Sequence, residues 1–289
     1  MKVAVMTDTN SGMSVEDGKK QEIFVLPMPI IINEKSYLEG VDLTSRDLFS
    51  ALRQGISVST SQPSPASLIE MWEQIFAQGY DEIIHIPMTS GLSSSCHMAL
   101  QFAEDYQGRV QVADNHRISL PQKISVLDAK AMAEQGMTAS EIKQHLEANG
   151  SHSMIYIAVD TLEYLKKSGR VTTAGAAIAT VMNIKPILSI QSGKLDAFAK
   201  VRGIQNCQKK MIEALRHDVE TRFSEFPKEK LVIATAGSFE TKESEKQWQN
   251  LVQEAFPEFT VPYEPLSCSI SSHTGANARG LAVIAREWS

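Results

Sequence analysis

The apolar positions of the chain follow two periodicities. Short apolar runs bounded by Gly, Pro, Asp or Ser alternate with longer segments whose apolar residues recur every three to four positions. The first pattern predicts buried strands and the second amphipathic helices. Runs at 3–6, 23–32, 37–41, 83–87 and 109–113 predict strands. Segments 42–54, 67–78, 97–106, 122–135 and 138–148 predict helices, with Leu68, Met71, Trp72, Ile75 and Phe76 marking the inward face of the second. Strands alternating with helices of this length predict a parallel sheet with crossover helices. The run at 23–32 carries Pro27 and Pro29, which places it at the edge or end of a sheet.

The pattern changes after 150. Runs at 153–159, 184–190, 195–201, 230–236 and 281–286 predict strands, and the Gln191-Ser192-Gly193-Lys194 turn predicts a hairpin between the second and third. Helices are predicted at 206–223 and 243–256, and TLEYLKKS predicts a shorter one ending at Gly169. The stretch 174–182, AGAAIATVM, is small and apolar on every side and predicts a buried helix. Residues 261–270 predict an extended segment broken by Pro262 and Pro265. The expected fold is α/β in two domains. Residues 1–160 form an N-terminal parallel-sheet α/β domain, and residues 161–289 form a C-terminal α+β domain with a mixed sheet.

Composition narrows the class of function. The 289 residues carry a net charge of −6, which disfavours a nucleic-acid binder. The three cysteines, Cys96, Cys207 and Cys268, are far apart and form no C-x-x-C pair, against a disulfide framework or a zinc site. The opening MKVAVMTDTN reads as a first strand, not a signal peptide, and no window approaches 18 apolar residues. The expectation is a cytoplasmic protein without stable membrane insertion.

Three hydroxyl-rich clusters stand at strand–helix junctions: TDTNSG at 7–12, STSQPS at 59–64 and TSGLSSS at 89–95. Serines there cap helices, and the free N–H groups of a first turn also receive anions, so both readings stand. Asp8 and Thr9 fit either a ligand site at the edge of a parallel sheet or ordinary turn chemistry. Gly91 permits a tight turn, but its segment matches no phosphate loop, dinucleotide fingerprint or nucleophile elbow. The seven histidines show no metal spacing. His273, in SSHTG, is expected in a turn. Arg170 and Arg202 each stand beside a glycine at an element end, where a guanidinium could clamp a carboxylate or phosphate.

These motifs, in this order, resemble the DegV family of bacterial fatty-acid-binding proteins. The matching stretches include TDTNSG, GVDLT at 40–44, TSQPSP at 60–65, SGLSSS at 90–95 and VDTLEYLKKSGRV at 159–171. NIKPILSI at 183–190, AKVRG at 199–203 and SSHTG at 271–275 complete the series, which covers essentially the whole chain. The resemblance implies two α/β domains and a fatty acid in a buried tunnel, the 174–179 stretch forming part of its wall. The carboxylate would be held by Thr60 or Ser61 and by Ser93, with Ser94 offering a backbone N–H. Arg170 and His273 would lie close by, together with Arg202.

The resemblance further implies a non-catalytic carrier. It would present the acid to an ATP-dependent fatty acid kinase, which forms an acyl phosphate for phospholipid synthesis. No cofactor is implied. The family pattern Gly-Thr-Tyr after SGLS is replaced by Ser94-Ser95-Cys96, and H-T-G-P-G becomes HTGAN, with Ala276 and Asn277. The alternative is a serine-dependent acyl-ester hydrolase using Ser93 and His273, with Asp8 completing a triad.

Overall fold

In a computed structural model of the chain, residues 1–171, 184–191, 193–286 and 288 are described. The N-terminal half is built on β1 (Val3–Asp8), β2 (Ile23–Leu26), β6 (Glu82–Ile86) and β7 (Val110–Val112). These strands form a parallel sheet in the order β2-β1-β6-β7. Both faces are covered, as a parallel sheet requires. On one lie α3 (Pro65–Ala77) and α4 (Ser95–Ala103), which bury Leu68, Trp72, Ile75 and Ala99 against Ala4, Met6 and Ile83. On the other lie α5 (Ser119–Glu134) and α6 (Ala139–Ala148), whose Val126, Ala129, Met132 and Ile142 pack on Val5, Ile84 and Ile86. The short α1 (Val15–Lys20) leads from β1 into β2.

The apolar run at 23–32 is not one strand. It divides at Pro27 and Met28, and β3 (Pro29–Ile32) enters a separate antiparallel sheet between β4 (Lys35–Leu38) and β5 (Val58–Thr60). Proline supplies no N–H to a ladder. The next N–H, that of Met28, is bonded by the side-chain oxygen of Thr9 at 3.2 Å. α2 (Ser45–Arg53) connects β4 to β5 and opens with a reciprocal cap between Thr44 and Asp47. The cap of α6 is Thr138, paired reciprocally with Glu141.

The second sheet has six strands in the order β10-β9-β8-β13-β11-β12: β8 (Ser153–Ala158), β9 (Ile184–Gln191), β10 (Lys194–Arg202), β11 (Leu231–Gly237), β12 (Tyr263–Pro265) and β13 (Arg279–Ala285). Only the β11–β12 pair is parallel, so the sheet is mixed as expected. Because β8 pairs with β9 and β13, a division of the chain by sheets falls before Ser153 and not at residue 160.

One face of this sheet buries Met154, Tyr156, Ile187, Ile233 and Val283 under α8 (Ile204–Glu220) and α9 (Lys242–Ala255). The other face presents Ile155, Ile157, Ala234 and Ala282 to the N-terminal half. α7 (Glu163–Ser168) and α10 (Cys268–Thr274) sit at the junction. Ion pairs join the halves, Lys123 to Glu264 at 2.6 Å and Arg286 to Asp128. The stretch 174–182, expected as a buried helix, lies outside the described residues.

The extended segment expected at 261–270 holds through β12, but a helix, α10, takes over at Cys268, so His273 stands in the last turn of a helix and not in a turn between elements. Serine competes with helix formation in isolation, which hides this element from its sequence. Its first donors are met by the Ser267 hydroxyl, which accepts from Ile270 at 3.1 Å, and by Glu39, more than two hundred residues away.

Candidate ligand-binding site

Two buried carboxylates shape the loops of the site. Asp8 accepts from the N–H groups of Asn10 at 2.9 Å and Met88 at 2.8 Å, tying the loop after β1 to the loop after β6. Burial raises its pKa, while those hydrogen bonds pull the other way. Asp8 is therefore an organiser of turns. The neighbouring Asn10 reaches the cavity, its amide within 3.0 Å of Met88 Sδ and its carbonyl accepting from Ser267 Oγ at 3.2 Å.

Glu39 plays the same part for α10. Its carboxylate accepts from the N–H groups of Cys268 and Ser269 and from the Thr9 hydroxyl, and burial raises its pKa. A carboxylate at a helix start also meets the positive end of the peptide dipoles. Glu39→Gln is expected to cost about 1–3 kcal/mol of stability, because the amide cannot accept at both of its ends. Urea denaturation at pH 7 checks this, and an unchanged midpoint would remove Glu39 from the role.

Held this way, α10 turns Ser269, Ile270, His273 and Thr274 towards a cavity. Thr60 and Ser61, at the end of β5, line it as well, together with Ser93, Leu92 and Arg170. His273 Nε2 and Thr60 Oγ1 lie 2.8 Å apart. Burial, with the Arg170 charge adding to it, depresses the His273 pKa to about 4, so the ring is neutral at pH 7. Its buried Nδ1 has no hydrogen-bond partner among the described residues. Arg170 follows Gly169, whose left-handed conformation (φ 68°) ends α7 and turns the chain. The guanidinium donates to the Ser168 carbonyl at the cavity margin.

The third hydroxyl cluster is set by a close backbone approach. A Cβ on Gly91 would sit against the Gly193 carbonyl oxygen, at the tip of the β9–β10 hairpin. Gly91 thus lets the second sheet touch the first half, a reason unrelated to the tight turn its sequence predicts. Beyond it, Ser93 Oγ donates to Ser95 Oγ at 3.0 Å and accepts from the Ser95 N–H at 3.2 Å.

Thr60, Ser61, Ser93, Arg170 and His273 therefore surround one cavity. Ser94 does not join them. It is exposed at the start of α4 and lines a shallow neighbouring recess. Arg202 is exposed at the end of β10 and lines none of these cavities, its carbonyl accepting from Asn206. The hydrolase triad does not assemble either. Ser93 bonds Ser95, His273 bonds Thr60, and Asp8 is taken up by backbone N–H groups.

The departures at Ser94, Ser95, Cys96, Ala276 and Asn277 leave the cavity lining untouched. Cys96 is buried in the core beside α3, and Asn277 adopts φ 62°, which asparagine tolerates better than most residues.

The rest of the lining is apolar, with Met28, Met88, Ile118, Ile157, Ile190 and Ile270 prominent. Met28 and Met88 each follow a proline just past a strand, the one local cue in the sequence. The isoleucines belong to the second sheet, α10 and the approach to α5, and read simply as core. A second space continues the first and shares Ile118, Ile157, Ile190 and Ile270 with it. Among the described residues no group of acidic, histidine or cysteine side chains could hold a metal ion.

Two packed sheets enclose an apolar cavity headed by hydroxyls, a neutral histidine and an arginine, in an α/β protein. The chain belongs to the DegV family, which matches residues 2–286. A DegV domain-containing protein of Deinococcus radiodurans is 31% identical over 244 residues, covering 84% of this chain and 85% of that one. A fatty acid binding DegV family protein from Streptococcus agalactiae superposes with a TM-score of 0.87 at 25% identity, over 99% of this chain and all of the other. A DegV family protein from Thermus thermophilus, whose structure concerns fatty acid binding, gives the same TM-score at 24% identity and 99% coverage.

Proposed function

We propose that this protein binds a long-chain fatty acid in the tunnel and presents its carboxylate to an ATP-dependent fatty acid kinase. The observation that carries the reading is the polarity of the cavity: one end hydroxyls, imidazole and guanidinium, the remainder aliphatic. Burying an acyl chain gains roughly 0.8 kcal/mol per methylene, so ~14 methylenes supply on the order of 10 kcal/mol before the costs of binding. The carboxylate must then accept several hydrogen bonds to be buried at all. Ser61 offers a hydroxyl donor, Thr60 offers one when it accepts from His273 Nε2–H, and Ser93 offers one when the acid replaces Ser95 as its acceptor. When Thr60 instead donates to His273 Nε2, the histidine proton lies on Nδ1, which has no acceptor among the described residues. Arg170 at the margin would balance charge as a phosphoryl group arrives.

The kinase step, its acyl phosphate product, a role in phospholipid synthesis and a cytoplasmic location extend this reading from the family resemblance. No helix among the described residues is long and apolar enough to cross a membrane, and a carrier acting between a lipid source and a kinase needs none. The protein itself is proposed to be non-catalytic, since among the described residues the Ser93 hydroxyl donates to Ser95 and not to a base.

Mass spectrometry of the lipid released on denaturing the purified protein tests the ligand class, and a stoichiometric fatty acid is expected. Thr60→Val and His273→Ala are each expected to weaken palmitate binding about 10- to 100-fold, the loss of a hydrogen bond to a charged group. Binding should be flat from pH 6 to 8, because His273 is neutral throughout. A protein that retains no lipid, with variants indistinguishable from wild type, overturns the reading.

A further inference from the structure

We infer that the tail of the bound acid crosses the second sheet at right angles to its strands, and that Gly280, Ala282, Ala234 and Ala236 set how long a tail is accepted. This rests on the fatty-acid reading and deepens it to the chain-length class.

The inner face of the sheet changes size across its strands. Ile190 of β9, Ile155 of β8, Ala282 of β13 and Ala234 of β11 are successive cross-strand partners. The adjacent row runs Leu188, Ile157, Gly280 and Ala236. Both rows pass from branched side chains to a methyl or a hydrogen at the same boundary, between β8 and β13.

The small residues are not a general property of β11 and β13. On the opposite face the same strands carry Ile233, Leu281 and Val283, packed beneath α8 and α9. On the inner face the next row, Val232 and Ile284, is large again. The result is a trough two residues wide that runs across the strands. It is the second of the two spaces, roofed by Leu120 and Pro121 at the start of α5 and walled by Leu266 and Ile270. At its far margin the row of Ala236 ends on Glu264 of β12, paired with Lys123. An ion pair there gives a methyl terminus no apolar continuation.

The sheet also supplies a ruler. From β9 to β11 are three interstrand steps, about 14 Å at the usual spacing, and an extended chain advances about 1.3 Å per carbon, so some eleven carbons lie over the sheet. The head group and first carbons occupy the cavity near Thr60 and Ser93. The trough therefore selects acids longer than about twelve carbons and is left partly empty by shorter ones.

The test uses the wild-type protein and palmitic acid carrying a photoreactive diazirine at its terminal carbon. After irradiation, label is expected on peptides containing 119–121, 234–236 or 280–282. Label confined to the head cavity, around Met28, Leu92 or Leu165, overturns the inference and leaves fatty-acid binding standing. No retained acid at all overturns the fatty-acid reading and the inference together. Ala282→Leu and Ala234→Leu provide the second measurement, in competition between dodecanoic and octadecanoic acid. Each leucine should remove about one strand's width of trough and shift the bound ratio towards the shorter acid by about ten-fold or more. Folded variants with the wild-type ratio would overturn the inference. If either variant fails to fold, the wild-type labelling still decides.

Discussion

On acidification from pH 7 to pH 4, the wild-type protein is expected to lose about 3 kcal/mol of stability that a His85→Leu variant retains. His85 lies on β6 in the middle of the parallel sheet, 2% exposed, with its ring edge-on to Trp72. Neither ring nitrogen has a hydrogen-bond partner among the described residues. Burial alone pushes its pKa down to about 3 from 6.5. Below pH 6.5 the unfolded chain takes up a proton there and the folded chain does not, so folding becomes less favourable as pH falls towards 3. His273, held at about 4, acts in the same direction. Asp8, Glu39 and Asp128 oppose it. Their pKa values are raised in the fold, so their contribution is greatest in acid and is lost as pH rises through that window. Subtracting the variant's pH profile from the wild type's cancels all four and leaves His85. Denaturant titrations at half-unit pH steps give both curves, and parallel curves would refute the assignment. At pH 7 the variant should be at least as stable as the wild type, because leucine removes the two unpaired ring nitrogens from the core.

Gly91→Ala is expected to lower Tm by roughly 3–10 °C and to shed bound lipid. The new methyl would meet the Gly193 carbonyl oxygen, and Gly193 itself is boxed in by Thr89. Backbone cannot rotate away as a side chain can, so the β9–β10 hairpin must withdraw. Overpacking of this kind costs about 1–3 kcal/mol, worth some 2–4 °C per kcal/mol at this chain length. Leu92 and Ser93 on one side, and Ile190 and Leu195 on the other, line the same cavity, so withdrawal of the hairpin opens its wall. Calorimetry and lipid quantification on the same preparation check both parts. An unchanged Tm with full lipid occupancy would show that the contact has no such role. A small hydroxyl residue is no remedy here, since serine carries the same Cβ.

Local physics made one part of the fold readable along the chain. The apolar periodicities place β1, β6 and β8 and the helices α3, α5 and α9 to within a few residues, because each buries one stripe or run whatever its partner. They also separate a parallel sheet from a mixed one. The hydroxyls at Thr60, Ser61 and Ser93 stand out because three clusters recur at element ends, Arg170 and His273 stand out by the glycine and hydroxyls beside them, and the family motifs join these residues into one expected site.

What only the tertiary structure decided is where distant groups complete each other. α10 is a helix because Glu39 satisfies its first N–H groups, a contact no local window contains. The run at 23–32 divides between two sheets because Thr9 takes the Met28 N–H. Ser94 and Arg202 carry motif residues yet stand outside the cavity, since a motif records order along the chain and not the direction of a side chain. The tunnel is the clearest case. Ile155, Ile157, Ala234 and Ala282 read as ordinary strand interior, and they line a cavity only because cross-strand register sets large residues beside small ones on a single face. A cavity is a mismatch between packed surfaces, so it exists only once both surfaces are in place.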